Sequence, residues 1–127
     1  MMHKQWMRAA VVLGVAIACV TSPGCRRHDR GVPAVLLGVW TSSSPGYSDR
    51  YIDIRPDMII FGTGGTRSQG YRILGCERRE TPDGPLYILE FKGVSAGPYR
   101  RPLYYISEGG GRLKFKNQPA VTWVRSS

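Results

Sequence analysis

The chain has 127 residues, and 18 Lys and Arg against 9 Asp and Glu leave it at +9, which allows one small, basic domain and no more. Glycine and proline, 16 and 9 residues, make up close to a fifth of it, too much for a helical bundle and too irregular for collagen. An apolar share of 42% excludes wholesale disorder, and the composition suits short strands joined by tight turns.

Met1 to Arg8 carries Lys4 and Arg8 and no acid, and Ala9 to Val20 follows as twelve residues without a charge. A positive head before a short apolar run has the pattern of a secretion signal. The run stops well short of the ~20 apolar residues that a membrane-spanning helix needs. It also lacks the polar face and the caps of a helix inside a folded domain.

Two cysteines come next, in Ala16-Ile17-Ala18-Cys19 and in Ser22-Pro23-Gly24-Cys25. Here the chain resembles the signal peptides of bacterial lipoproteins, in which small or apolar residues precede a cysteine that is acylated and becomes the mature N-terminus. Cys19 matches the residue classes before it. Cys25 follows a longer apolar stretch and has Gly24 in front, with Pro23 a departure from the pattern. The resemblance implies lipid attachment at Cys19 or Cys25, export from the cytoplasm, and anchoring in a bacterial cell envelope. Simple secretion is the competing expectation, because Ala16-x-Ala18 also fits an ordinary signal-peptidase site.

The expected division is a signal peptide over 1–18 (alternatively 1–24), a basic tether over 19–33, and a folded domain over 34–127. If Cys19 carries the lipid, Cys25 and Cys76 are left to pair as a disulfide in an oxidising compartment. If Cys25 carries it, Cys76 is alone and reads as a small buried hydrophobe. No C-x-x-C spacing supports zinc or dithiol redox chemistry. Removal of the signal at Cys19 leaves 16 basic against 9 acidic side chains, or +7. Arg26-Arg27-His28-Asp29-Arg30 then reads as a solvated stub whose charge favours anionic lipid headgroups.

From Ala34 onward strand signals recur. Val35 to Trp40 leads in. Arg50 to Arg55 alternates, with Ile52 and Ile54 on one face and Tyr51, Asp53 and Arg55 on the other. Met58 to Phe61 follows the Pro56-Asp57 turn. Gly62-Thr63-Gly64-Gly65-Thr66 breaks it, and Gln69 to Arg79 is the next strand. Thr81-Pro82-Asp83-Gly84 is a turn across which Leu86 to Phe91 pairs back as a hairpin. Leu103 to Ile106, Arg112 to Lys116 and Ala120 to Val124 complete the series, separated by Gly109-Gly110-Gly111 and Asn117-Gln118-Pro119.

About eight strands with hairpin-length links predict an all-β domain: a small antiparallel up-and-down barrel or flattened barrel, preceded by a signal-peptide helix. Closure brings Trp40 of the first strand and Trp123 of the last near one end of the core. Leu37-Gly38-Val39-Trp40 resembles the Gly-x-Trp opening of the lipocalin-like (calycin-type) superfamily. That resemblance implies an eight-stranded barrel whose tryptophan plugs the closed end. Strands of about six residues span ~20 Å and leave little interior once side chains fill it. Binding is therefore expected at a rim or on an outer face rather than in a roomy cavity.

The only histidines are His3 and His28, so the folded part has no imidazole. That excludes Ser-His-Asp and Cys-His catalysis and histidine metal sites there. No catalytic residue, metal or cofactor is expected. Asp49, Asp53 and Asp57 recur at four-residue spacing, and two of them would be the carboxylate pair of a glycan-processing enzyme; turn geometry and the wet face of a strand account for them better. Gly62 to Arg67 lacks the spacing of a phosphate-binding loop and reads as a hairpin connection.

Basic and aromatic residues interleave in Tyr71-Arg72, Tyr99-Arg100-Arg101 and Tyr104-Tyr105. Such a patch suits an envelope protein, an anionic glycan or a lipid headgroup. Export makes nucleic acid an unsuitable partner. The leading expectation is a lipid-anchored, non-enzymatic binding or accessory module of the cell envelope. An inhibitor of lysozyme-type enzymes and a carboxylate-dependent glycan-processing enzyme are the alternatives.

Overall fold

The computed structural model describes the backbone of Arg27–Asp29 and all of residues 31–126. The signal-peptide helix, Cys19 and Cys25 lie outside the described residues. In chain order the strands are β1 (Arg27–Asp29), β2 (Gly38–Thr41), β3 (Tyr51–Ile54), β4 (Met58–Gly64), β5 (Arg67–Thr81), β6 (Gly84–Lys92), β7 (Tyr99–Ile106), β8 (Arg112–Phe115) and β9 (Trp123–Arg125). Each strand from β2 to β9 pairs antiparallel with the next, and β9 pairs back onto β2. The domain is thus all-β, an eight-stranded antiparallel up-and-down barrel. Closing the sheet on itself removes the exposed edges that so many short strands would otherwise leave.

Alternation assigns the faces. Trp40 of β2 stands opposite Ile52 of β3, and Ile52 opposite Phe61 of β4, all on the inner side. Asp53 lies on the outer side, opposite Ile60. The core gathers Leu36, Trp40, Ile52, Ile54, Ile59, Leu89, Leu103 and Leu113, each essentially without solvent contact.

β5 is the longest strand, at 15 residues, and it serves two neighbours along one edge. Arg67 to Arg72 pairs with β4, and Cys76 to Arg78 pairs with β1. Between them the register with β6 shifts at Leu74, which leaves that side chain outside. A bulge of this kind bends a strand and increases its twist, so β5 can pass from one partner to the other. β1 falls within the expected 19–33 tether. Its sequence, Arg-His-Asp, has no strand propensity, and only pairing with an open edge gives it this conformation.

Two boundaries differ from the sequence expectation. Val35 and Leu36 belong to a 3₁₀ turn, Ala34–Leu36, started by Pro33 with φ −57°. The last strand begins at Trp123, because Ala120 and Val121 lie in a turn in which the Val121 N–H bonds the Gln118 carbonyl at 3.1 Å.

The up-and-down order sends alternate connections to opposite ends. One end has the 3₁₀ turn and the links 55–57, 82–83 and 107–111. The other has the loops 42–50, 65–66, 93–98 and 116–122. The first end is closed. Leu36 caps the barrel, and the Trp40 indole N–H donates to the Leu36 carbonyl at 2.9 Å. The Arg125 guanidinium covers the Trp40 ring at 4.4 Å. It donates to the Val35 carbonyl at 2.8 Å and to the Leu37 carbonyl as well. Gly38 is needed here on two grounds. Its φ is +129°, and a Cβ would lie 2.8 Å from the Arg125 guanidinium.

Closure does bring β2 beside β9, but Trp40 faces Arg125, so Trp123 stands two residues further toward the open end. The two indoles occupy different levels of the barrel.

Candidate functional site

The open end is not filled. A cavity of about 430 Å³ enters the barrel there. That size falls within the ~300–1,000 Å³ of small-molecule sites, and it corrects the expectation of an interior filled by side chains.

The strand register builds its walls. Phe61, Tyr71, Phe91 and Tyr99 come from four adjacent strands and all point inward. Their rings form one cluster, with Tyr71 and Phe91 centroids 5.2 Å apart and Tyr71 and Tyr99 edge-to-face at 5.9 Å. Across the cavity, Tyr47 meets Trp123 edge-on at 6.0 Å. Such aromatic walls present flat, rigid, apolar surface at little entropic cost.

Two cations reach this lining, Arg50 from the loop 42–50 and Arg101 from β7. Arg50 lies 4.9 Å from the Tyr47 ring, and Arg101 lies 5.8 Å from the Tyr99 ring. Among the described residues neither is in an ion pair, and no Asp or Glu lines the cavity. Gln69 accepts from the Tyr71 hydroxyl at 2.9 Å, and Gln118 donates to the Tyr47 hydroxyl at 3.3 Å. Trp123 is 4% exposed, and among the described residues its indole N–H has no acceptor. Buried donors normally have a partner, and leaving one unmet costs about 1–3 kcal/mol.

The seven interleaved residues divide between the two faces of the sheet. Tyr71, Tyr99 and Arg101 line the cavity. Tyr105 also points inward, toward the closed end, with its hydroxyl close to Gly111. Arg72, Arg100 and Tyr104 face outward. Arg100 is committed to the wall, where its guanidinium meets Glu77 at 3.1 Å. Glu77 is 6% exposed and also accepts from Arg79 at 2.8 Å. Arg79 and then Arg100 hold its carboxyl below the ordinary range against the opposing effect of burial.

Cys76 is buried and points inward opposite Leu89. Its expected partner Cys25 lies outside the described residues. The three spaced aspartates are separated. Asp49 sits in a loop at the open end beside Gly64, Asp53 is ion-paired with Arg55 at 3.1 Å on the outer wall, and Asp57 lies in the β3–β4 turn at the closed end. Gly62 to Arg67 forms the β4–β5 hairpin, with Gly65 at φ +61° in its turn. Among the described residues, no three of His, Cys, Asp and Glu gather closely enough to hold a metal ion.

Sequence reasoning missed Tyr47, Arg50, Gln69 and Gln118. Tyr47 and Gln118 sit in loops or turns without periodicity, and Arg50 lies just before β3, at the edge of the alternating segment. Gln69 is a polar side chain on the inner face, which alternation alone would have flagged once the β4–β5 register was fixed. The chain matches no protein-family model, no curated protein and no solved structure.

Proposed function

We propose that this protein is a non-enzymatic binding module, and that its ligand seat is the cavity at the open end of the barrel. The ligand is a small amphipathic molecule with a flat apolar body and an anionic head. The observation that carries this reading is the composition of the cavity. Aromatic rings supply an apolar wall, Arg50 and Arg101 stand beside it outside any ion pair among the described residues, and no described carboxylate lines the cavity.

The finer identity belongs to the same proposal. Gly38-Val39-Trp40 opens the barrel and Trp40 plugs its closed end, which supports a lipocalin-like assignment. The positive head, the apolar run and the two cysteines of residues 1–25 support a lipid-anchored protein of a bacterial cell envelope.

Titration with anilinonaphthalene sulfonate, an aromatic anion, tests the seat. Saturable binding that raises the melting temperature is expected, weakened about tenfold in Arg101→Ala, because a charge-assisted contact contributes ~1.5–3 kcal/mol. If the probe shows no saturable binding, and no member of a panel of aromatic and aliphatic carboxylates shifts the melt, the proposal fails.

A further inference from the structure

We propose that the open end of the barrel docks against an anionic lipid bilayer, with the β6–β7 loop as its contact point. This goes beyond the ligand seat and does not depend on it. Val94, near the start of loop 93–98, is the most exposed large apolar residue of the described chain, fully open to solvent, whereas the other exposed ones are about two-fifths accessible. Residues 93–98, Gly-Val-Ser-Ala-Gly-Pro, contain no charge. Lys92 precedes them, and Arg67 and Lys116 stand at the bases of neighbouring connections at the same end. With Arg50 and Arg101 that makes five cations around the mouth, and none of them is in an ion pair among the described residues. Asp49 is the one acid in the connections at this end.

The rest of the surface is arranged differently. Asp53, Glu77, Glu80 and Glu90 each have an arginine within 4.0 Å. Asp57, Asp83 and Glu108 sit at the closed end, where they offset Arg112 and Arg125. The molecule is therefore electrically polar along the barrel axis, and a negative surface turns its mouth inward. Cations around an exposed apolar loop suit a bilayer, where headgroups meet the charges and the valine enters the interface. A soluble polyanion would gain nothing from Val94, which is why the bilayer is the occupant that fits.

The test uses the full chain and sedimentation with vesicles of phosphatidylcholine, alone or mixed with an equal share of phosphatidylglycerol. Any partition through residues 1–26 is common to all variants, so the comparison reads the mouth. The paired change Arg67→Glu and Lys116→Glu should weaken partition onto the mixed vesicles about tenfold. Val94→Ser, which removes the apolar group without changing the charge, should weaken it several-fold. Arg112→Glu, an exposed cation at the closed end, should leave it nearly unchanged. Equal loss in Arg112→Glu would mean that overall charge alone acts, and the proposal would be overturned. So would an unaffected Val94→Ser beside an impaired charge variant, which would point to a polyanion in general, or no loss in any mouth variant. All these positions lie outside the cavity lining, so retained binding of anilinonaphthalene sulfonate separates this failure from failure of the ligand seat.

Discussion

The two ends of the barrel use the same residue types and leave them in opposite states. At the closed end, an indole, an arginine and three backbone carbonyls satisfy one another. The Trp40 N–H goes to Leu36, and Arg125 lies over the ring and bonds the Val35 and Leu37 carbonyls. At the open end, among the described residues, Trp123 has no acceptor for its N–H, and Arg50 and Arg101 rest on tyrosine rings without an acid. A tryptophan–arginine set is structural when its polar groups are matched internally. It is available for recognition when they are not. The difference is one of completion rather than of composition.

The largest way to break this comparison is at the closed end. Trp40→Ala removes a fully buried indole that both plugs the barrel and orders the 3₁₀ turn. It should destabilise the domain by about 3–5 kcal/mol, a large part of the ~5–15 kcal/mol that holds a domain of this size. Trp40→Phe keeps a ring and loses the bond to Leu36, so a smaller but clear loss is expected. Urea or thermal unfolding measures both. A Trp40→Ala change costing no more than a typical surface substitution, ~0.5 kcal/mol, would show that the plug does not hold the fold.

The outer wall sharpens the comparison with a carboxylate. Glu77 is nearly buried and matched by Arg79 and Arg100, as Trp40 is matched by Leu36. Its carboxyl titrates below the ordinary 4.5 in the folded state, chiefly because of the Arg79 hydrogen bond. The folded protein thus binds fewer protons at this site than the unfolded chain. The stability it supplies is full above the ordinary carboxylate range and is lost as pH falls through the lowered folded value. Glu77→Gln should cost about 1–2 kcal/mol near neutrality, because the two arginines it leaves behind are half-exposed and can rehydrate. Melting curves of the two proteins should converge as the solution is acidified through the lowered folded value, below the ordinary 4.5. A gap that persists unchanged into acid would mean that the carboxylate charge is not what Arg79 and Arg100 stabilise.

Much of the fold was legible because alternation and turn chemistry agree. Ile52, Asp53 and Ile54 give the faces of β3, and Thr81-Pro82-Asp83-Gly84 gives the β5–β6 hairpin, where the Thr81 hydroxyl bonds the Gly84 carbonyl at 2.7 Å. β1 was not legible, since an edge pairing with β5 overrides what Arg-His-Asp prefers. The cavity was half legible. Tyr71, Tyr99 and Arg101 were singled out as part of a surface patch, but strand register sends them inward while Arg72, Arg100 and Tyr104 go outward. A list of interleaved residues has no face until the pairing is known, and a one-residue slip reverses every assignment. The mouth loops escaped for a different reason. Tyr47 and Arg50 reach the cavity through the loop 42–50, which Ser42 fastens by donating to the Thr122 carbonyl at 2.7 Å. That contact spans 80 residues, and no local pattern encodes it.

The smallest stability effect makes the most discriminating test of the two ends, because it pairs identical substitutions. Trp123→Phe removes volume from the cavity wall, which destabilises, and removes a buried N–H without an acceptor, which stabilises. These terms oppose each other, so the net change in unfolding free energy should stay within about 1 kcal/mol. Trp40→Phe has no such offset, since its N–H is matched by Leu36, and it should cost clearly more. Binding should follow the reverse order. Anilinonaphthalene sulfonate should bind Trp123→Phe several-fold more weakly, because part of the aromatic cavity wall is gone, and should bind Trp40→Phe as it binds the parent. Equal stability losses at both positions would mean that the unmatched indole costs the free protein nothing, and the reading of the open end as an incomplete site would lose its physical basis.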